Sequence, residues 1–139
     1  MITLSILKAL SEAGFGTIDT NLFLEEATLD GNGKPKDGLW IVTRGSTISR
    51  VNTEIQSFDI YSRFTNKLTG HTKLEQVLAW LQEAYGDVCT LPGVAPYTTQ
   101  IYKNVRIFPT SSIENAGTDE NGKIVRVISF EIYYNKENN

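Results

Sequence analysis

Hydrophobic positions along this chain alternate between two periods. In residues 3–13, Leu4, Ile6, Leu7 and Leu10 recur at spacings of three and four, which lays them along one stripe of a helix. Gly14 follows as the stop, because glycine enters the left-handed region without steric penalty. Residues 21–26 form a short extended run, and residues 39–44 and 53–64 read as strands joined by a polar connection at 45–52. In the second of these, Phe58, Ile60 and Phe64 share one face while Asp59, Tyr61 and Arg63 share the other, the period of two of a strand with one buried side. Residues 72–85 return to the helical period with Leu74, Val77, Leu78, Leu81 and Tyr85. Thr72 with Glu75 makes a capping-box pattern at its start, and Gly86 ends it.

A connection containing Pro and Gly, residues 91–96, leads to a strand at 98–108 with Ile101, Val105 and Ile107 on a common face. The last strand, 123–134, turns Ile124, Ile128, Phe130 and Ile132 inward. Its other face carries Val125, Val127 and Tyr133 and is therefore partly apolar too, which predicts a cover over it. Between these strands Asn121-Gly122 marks a turn within 117–122, although the connection from Pro109 is too long for a minimal hairpin. Residues 135–139 are a polar tail with nothing to order it. The order α-β-β-β-α-β-β predicts an α+β fold, a two-layer sandwich in which two helices pack on one face of a mostly antiparallel sheet. Residues 1–139 read as a single domain without internal repeat or linker.

Composition agrees and narrows the function classes. A chain of 139 residues with 40% hydrophobic and 21% charged residues can bury one core. A formal charge of -3 offers no surplus to hold a phosphate backbone, so nucleic acid is not the expected partner. The single cysteine, Cys89, can form no internal disulfide and no Cys-rich zinc site, which fits a reducing compartment. No signal-peptide pattern and no apolar run of membrane length is present, so the expected place is the cytosol, with exit only by release of a whole assembly.

The chemistry-bearing residues are scattered. His71, the only histidine, precedes the second predicted helix and reads as a solvated ring, not a general base, since no nucleophile is marked nearby. Cys89 reads as a small packed hydrophobe. Residues 28–38 hold four glycine or proline positions and four charges, and are expected to be exposed and mobile in an isolated subunit. Asp30 and Asn32 alternate like calcium ligands, but Lys34 and Pro35 stand where the pattern needs a ligand and a glycine, so no metal is expected. Asp119 and Glu120 read as turn carboxylates, and Trp40 and Trp80 as core or subunit-contact residues. Arg44, Arg50 and Arg63 flank the predicted hairpin and could pair with carboxylates of a neighbouring subunit. Asp30, Lys34, Lys36, Arg44, Arg50 and Arg63 are therefore the candidate interface residues, with no catalytic residue and no cofactor expected.

Taken in order, the elements resemble those of the tail terminator and head-to-tail joining proteins of tailed bacteriophages and the related phage minor capsid proteins. The resemblance is carried by the first amphipathic helix, the segment Gly-Leu-Trp-Ile-Val-Thr-Arg-Gly at 38–45 and Glu-Ile-Gln-Ser-Phe-Asp-Ile-Tyr-Ser-Arg at 54–63. The helix from Thr72 and the Asp-Glu-Asn-Gly-Lys that precedes the last strand complete it. It implies a structural protein, not an enzyme, that forms a ring, commonly a hexamer, on the end of a tail tube. Its partners would be copies of itself, the tail-tube protein and the head-tail connector, with no membrane. Its place would be the head-tail junction of a phage or prophage virion, and the host cytoplasm during assembly. The alternatives are a head-side adaptor or minor capsid component, and a small enzyme or ligand-binding domain that uses His71 and nearby carboxylates.

Overall fold

The computed structural model describes residues 1–27, 29–50, 53–86 and 89–138, with side chains described except at 48–50 and 136–138. Its elements in chain order are α1 (Ile2–Glu12), β1 (Leu22–Leu24), β2 (Gly38–Arg50), β3 (Thr53–Phe64), α2 (Lys67–Tyr85), β4 (Cys89–Pro92), β5 (Gln100–Pro109), β6 (Glu114–Thr118) and β7 (Ile124–Asn138). The class is α+β, with a seven-stranded, mostly antiparallel sheet ordered β1-β2-β3-β7-β5-β4. β6 also pairs with β7, beside its first residues, while β5 takes the same edge further along.

One core cluster joins Ile6, Leu7 and Leu10 of α1 and Leu74, Val77 and Leu81 of α2 to Phe58 and Ile60 of β3 and Ile128, Phe130 and Ile132 of β7. Phe58 and Phe130 stack across the central strand pair with ring centroids 5.3 Å apart. The polar positions that α1 buries are satisfied: Thr3 shares a hydrogen bond with Thr43, and the Ser5 hydroxyl donates to the Pro92 carbonyl. Gly70 lets α2 approach β3 closely, since a Cβ there would stand 2.6 Å from the Ser62 hydroxyl.

Several boundaries differ from the expectations, each for a local reason. α2 starts at Lys67, not 72, because the Asn66 side chain caps it by accepting from the Leu68 and Thr69 amides. His71 therefore lies inside the helix, 3.3 Å from Glu75 one turn on. β2 continues six residues past Arg44 through register shifts at Thr43/Ser46 and Ile48/Arg50, so most of the connection expected at 45–52 is strand; Val51 and Asn52 lie outside the described residues.

In β5 the inward set is Tyr102, Val105 and Ile107. A bulge with Asn104 at φ 54° puts Ile101 out of phase with them. β4 ends inside the connection expected at 91–96 and β6 lies within the one at 109–122, two short strands that their polar or Pro-containing sequences hide. The expected tail at 135–138 is the end of β7, ordered by pairing with β5 and, at Asn135, with Thr53; Asn139 is outside the described residues.

Candidate interaction site

β1 pairs with β2 in parallel, so residues 25–37 must carry the chain back along the pair before β2 can begin. Strand alternation turns Phe23 and Trp40 away from the face whose Leu22, Leu39 and Ile41 join the core cluster, yet they are only 1% and 8% exposed. The returning segment crosses that second face of the sheet. Just before β7, the Lys123 ammonium holds the segment by the Pro35 carbonyl (3.2 Å) and the Asp37 carboxylate (2.6 Å). The segment expected to be exposed is exposed at residues 29, 31–34 and 37, and it forms a strap tied to the sheet through Pro35 and Asp37.

The strand registers lay this second face out in rows. Trp40, Tyr61, Val127 and Glu114 form one row across β2, β3, β7 and β6, and Arg63 and Val125 lie in the next. Trp40 and Tyr61 stack with centroids 5.0 Å apart, and the Arg63 guanidinium lies 4.5 Å over the Trp40 ring. Arg63 Nε also stands 3.0 Å from Asp119 Oδ2, at ion-pair distance but out of line for a hydrogen bond. Toward the other end, Asp59 is 7% exposed, accepts from the Ser129 hydroxyl at 2.6 Å and faces Arg44 Nε at 3.2 Å. Beyond it the face is open: Ile55, Tyr133 and Arg106 form a row, with Glu131 and Phe108 beside them. Tyr133 is 36% exposed, contacts Phe108 edge-on and donates its hydroxyl to Glu131.

At the covered end two turns with nearly the same sequence lie side by side: Asp30-Gly-Asn-Gly-Lys34 in the strap and Asp119-Glu-Asn-Gly-Lys123 between β6 and β7. Their hydrogen bonding is the same. The Asp Oδ1 accepts from the backbone amides two and four residues on, at 2.8 and 3.1 Å in the first and 2.9 and 3.0 Å in the second. The Asp amide donates to the Lys carbonyl, and the Gly amide donates to the Asp carbonyl. Each turn closes with its glycine, Gly33 or Gly122, at φ 75°, the geometry of a type I turn followed by a glycine bulge. Backbone amides from Lys34 and Asn32 hold the Asp30 carboxyl below its ordinary value. For Asp119, partial burial pushes the other way, but the Lys123 and Asn121 amides and the Arg63 charge outweigh it and leave the carboxyl lowered as well.

Between the turns lies a cleft of about 480 Å³, lined by Gly33, Lys34 and Pro35 on one side, Thr118, Asp119, Glu120 and Asn121 on the other, and Arg63. Of the sequence-predicted interface residues, the structure brings Lys34 and Arg63 to this cleft and places Asp30 in the turn that forms one wall. Lys36 is half-buried in the strap, Arg44 stands apart on the same sheet face, and the Arg50 side chain is outside the described residues. Arg44 and Arg63 find carboxylates within their own chain. Asp30 spends one oxygen on two backbone amides, and no group of three or more metal-ligating side chains occurs among the described residues. Cys89 packs against the core with its thiol toward the Ala84 carbonyl, and Trp80 makes edge contacts with Phe15 and Tyr85. Thr118 and the pairing of the two turns were missed in the sequence, and Asn121 was read only as a turn marker, although the repeated Asp-x-Asn-Gly-Lys was an available signal.

No helix among the described residues is long and apolar enough to cross a membrane. No protein-family model matches the chain, and no curated protein matches it.

Proposed function

We propose that this chain is a structural assembly subunit, one that forms a ring on the end of a phage tail tube and joins tail to head. The ring would act sterically, covering the surface on which a further tube subunit would add. The observation that supports the reading is the uneven cover on the second sheet face. Phe23 and Trp40 at one end are 1% and 8% exposed, while the other end leaves Ile55, Phe108 and Tyr133 interleaved with Arg106 and Glu131 at the surface. A half-apolar, half-charged sheet face suits a contact in which hydrophobic burial supplies affinity and charge sets register. Ring closure requires such a patch to meet a different patch on the next copy.

Light scattering over a wide concentration range, with and without purified tail tubes, tests this. A closed oligomer in solution, or a monomer that becomes one only on the tubes, is the expected result. A monomer indifferent to tubes at every concentration overturns it.

A further inference from the structure

We propose that the cleft between the two turns binds a carboxylate, presented by an acidic side chain of a protein partner. The inference deepens the assembly reading and rests on it only for the source of the carboxylate.

The guanidinium of Arg63 is already in place for such a ligand. Its side chain is 15% exposed, with the Trp40 ring on one face and the Asp119 carboxylate against Nε. Guanidinium offers five N–H donors in a rigid fork that matches carboxylate geometry bidentately. Among the described residues, nothing accepts a hydrogen bond from Nη1 or Nη2, and Arg63 lines the cleft. A side chain held on two sides loses little freedom on binding, which is what makes a single pair worth forming.

The walls hold further residues that carry donors: Thr118, Asn121 and Lys34 line the cleft. Lys34 has no ion partner among the described residues. Asp119 is not a competing ligand, since one oxygen is taken by two backbone amides and the other faces Arg63. Its carboxylate holds the arginine in position.

Charge selects among oxyanions. The lining holds two cations, Lys34 and Arg63, and two anions, Asp119 and Glu120. A singly charged carboxylate can take the Arg63 fork without a large excess of negative charge. Phosphate near its second ionisation brings up to twice that charge against Glu120. The cleft is open at the surface and wide enough for a side chain from a docked protein, which fits a ligand carried on a partner.

The test uses the full chain and N-acetyl-glutamate amide as probe, with N-acetyl-glutamine amide and inorganic phosphate as comparisons. Two-dimensional NMR follows the Arg63 Nε–H and Trp40 indole N–H signals. The expected result is a saturable shift with the glutamate probe alone at a Kd of about 1 to 10 mM, the scale of one charge-assisted pair. Arg63→Lys should weaken it at least about tenfold, because ammonium lacks the bidentate fork. Glu120→Gln, at an exposed turn position, should tighten it roughly threefold by removing the facing charge. A glutamate shift that does not saturate, an equal response to the glutamine probe, or tighter binding of phosphate overturns the proposal. Saturable glutamate binding by a chain that stays monomeric with tail tubes leaves the carboxylate site standing and removes the assembly reading. A ring whose cleft ignores the probe does the reverse.

Discussion

The turns at Asp30 and Asp119 make the same local hydrogen bonds from nearly the same five residues, yet the surrounding chain gives them different weight. Outside its own hydrogen bonds, the Asp30 turn is bracketed by an isolated bridge between Leu29 and Pro35, and the strap pairs with no named strand among the described residues. The Asp119 turn joins β6 to β7, a strand paired along both edges, and its second carboxylate oxygen faces Arg63. Lys34 extends from the first turn without an ion partner among the described residues, whereas Lys123 of the second ties down the strap. A five-residue motif therefore specifies the shape of a turn through its own backbone amides. How far that turn contributes to stability is decided by what the rest of the sheet places against it.

The strongest way to break the comparison is to remove each aspartate. Asp119→Ala deletes an acceptor for two amides and strands the largely buried Arg63 charge, with an expected loss of about 3 kcal/mol in urea unfolding. Asp30→Ala should leave the global midpoint nearly unchanged, because the strap can open without the sheet. Equal losses would show that the two turns carry equal weight.

The acid limb sharpens the same contrast. The Asp119 carboxyl is lowered in the folded chain below its ordinary 3.8, so the unfolded chain binds the proton more readily. Its contribution is complete above that value and is lost as pH falls through the lower, folded value. Asp119→Asn should therefore flatten the decline in stability below about pH 4; Asp30 is lowered too, but Asp30→Asn should change the global decline less if the strap opens apart from the sheet.

Next in size are the glycines. Both stand at φ 75° with no atom within 4 Å of an added Cβ, so substitution tests backbone conformation alone. Gly122→Ala should cost about 1 kcal/mol, since the β6–β7 hairpin fixes the left-handed residue. Gly33→Ala should cost less, as the strap turn can relax. A larger loss at Gly33 would mean that the strap, not the hairpin, is the more constrained of the two.

The turns also mark what the sequence made legible. Strong periodicity located α1, β3, the centre of α2 and β7, because many side chains voted for each. The α+β class followed from them. Elements held chiefly by neighbours were not readable: β4 with a proline at its end, β6 with every residue exposed, and the polar end of β7 along β5. The same was true of phase, since one bulge at Asn104 exchanged Tyr102 for Ile101 on the inner face. Of the candidate site, the charged residues Asp30, Lys34 and Arg63 were picked out singly. Their convergence on Asp119 depends on contacts between residues far apart in the chain and on a parallel strand pair that no local pattern announces.

The smallest expected effect isolates the tie between the turns. Lys123→Met keeps the aliphatic stem but removes the ammonium that holds Asp37 and the Pro35 carbonyl. The pair is partly exposed, at 19% for the lysine and 44% for the aspartate, so the global cost should stay below about 1 kcal/mol. Local opening should change much more. Amide exchange at Gly33 and Lys34 should quicken several-fold, while Asn121 and Gly122 keep their rates because their hairpin is anchored by β7. If both turns speed up together, they open as one unit and the division between strap and hairpin fails. If neither does, contacts other than the Lys123 tie hold the strap, and Lys123 adds only surface charge.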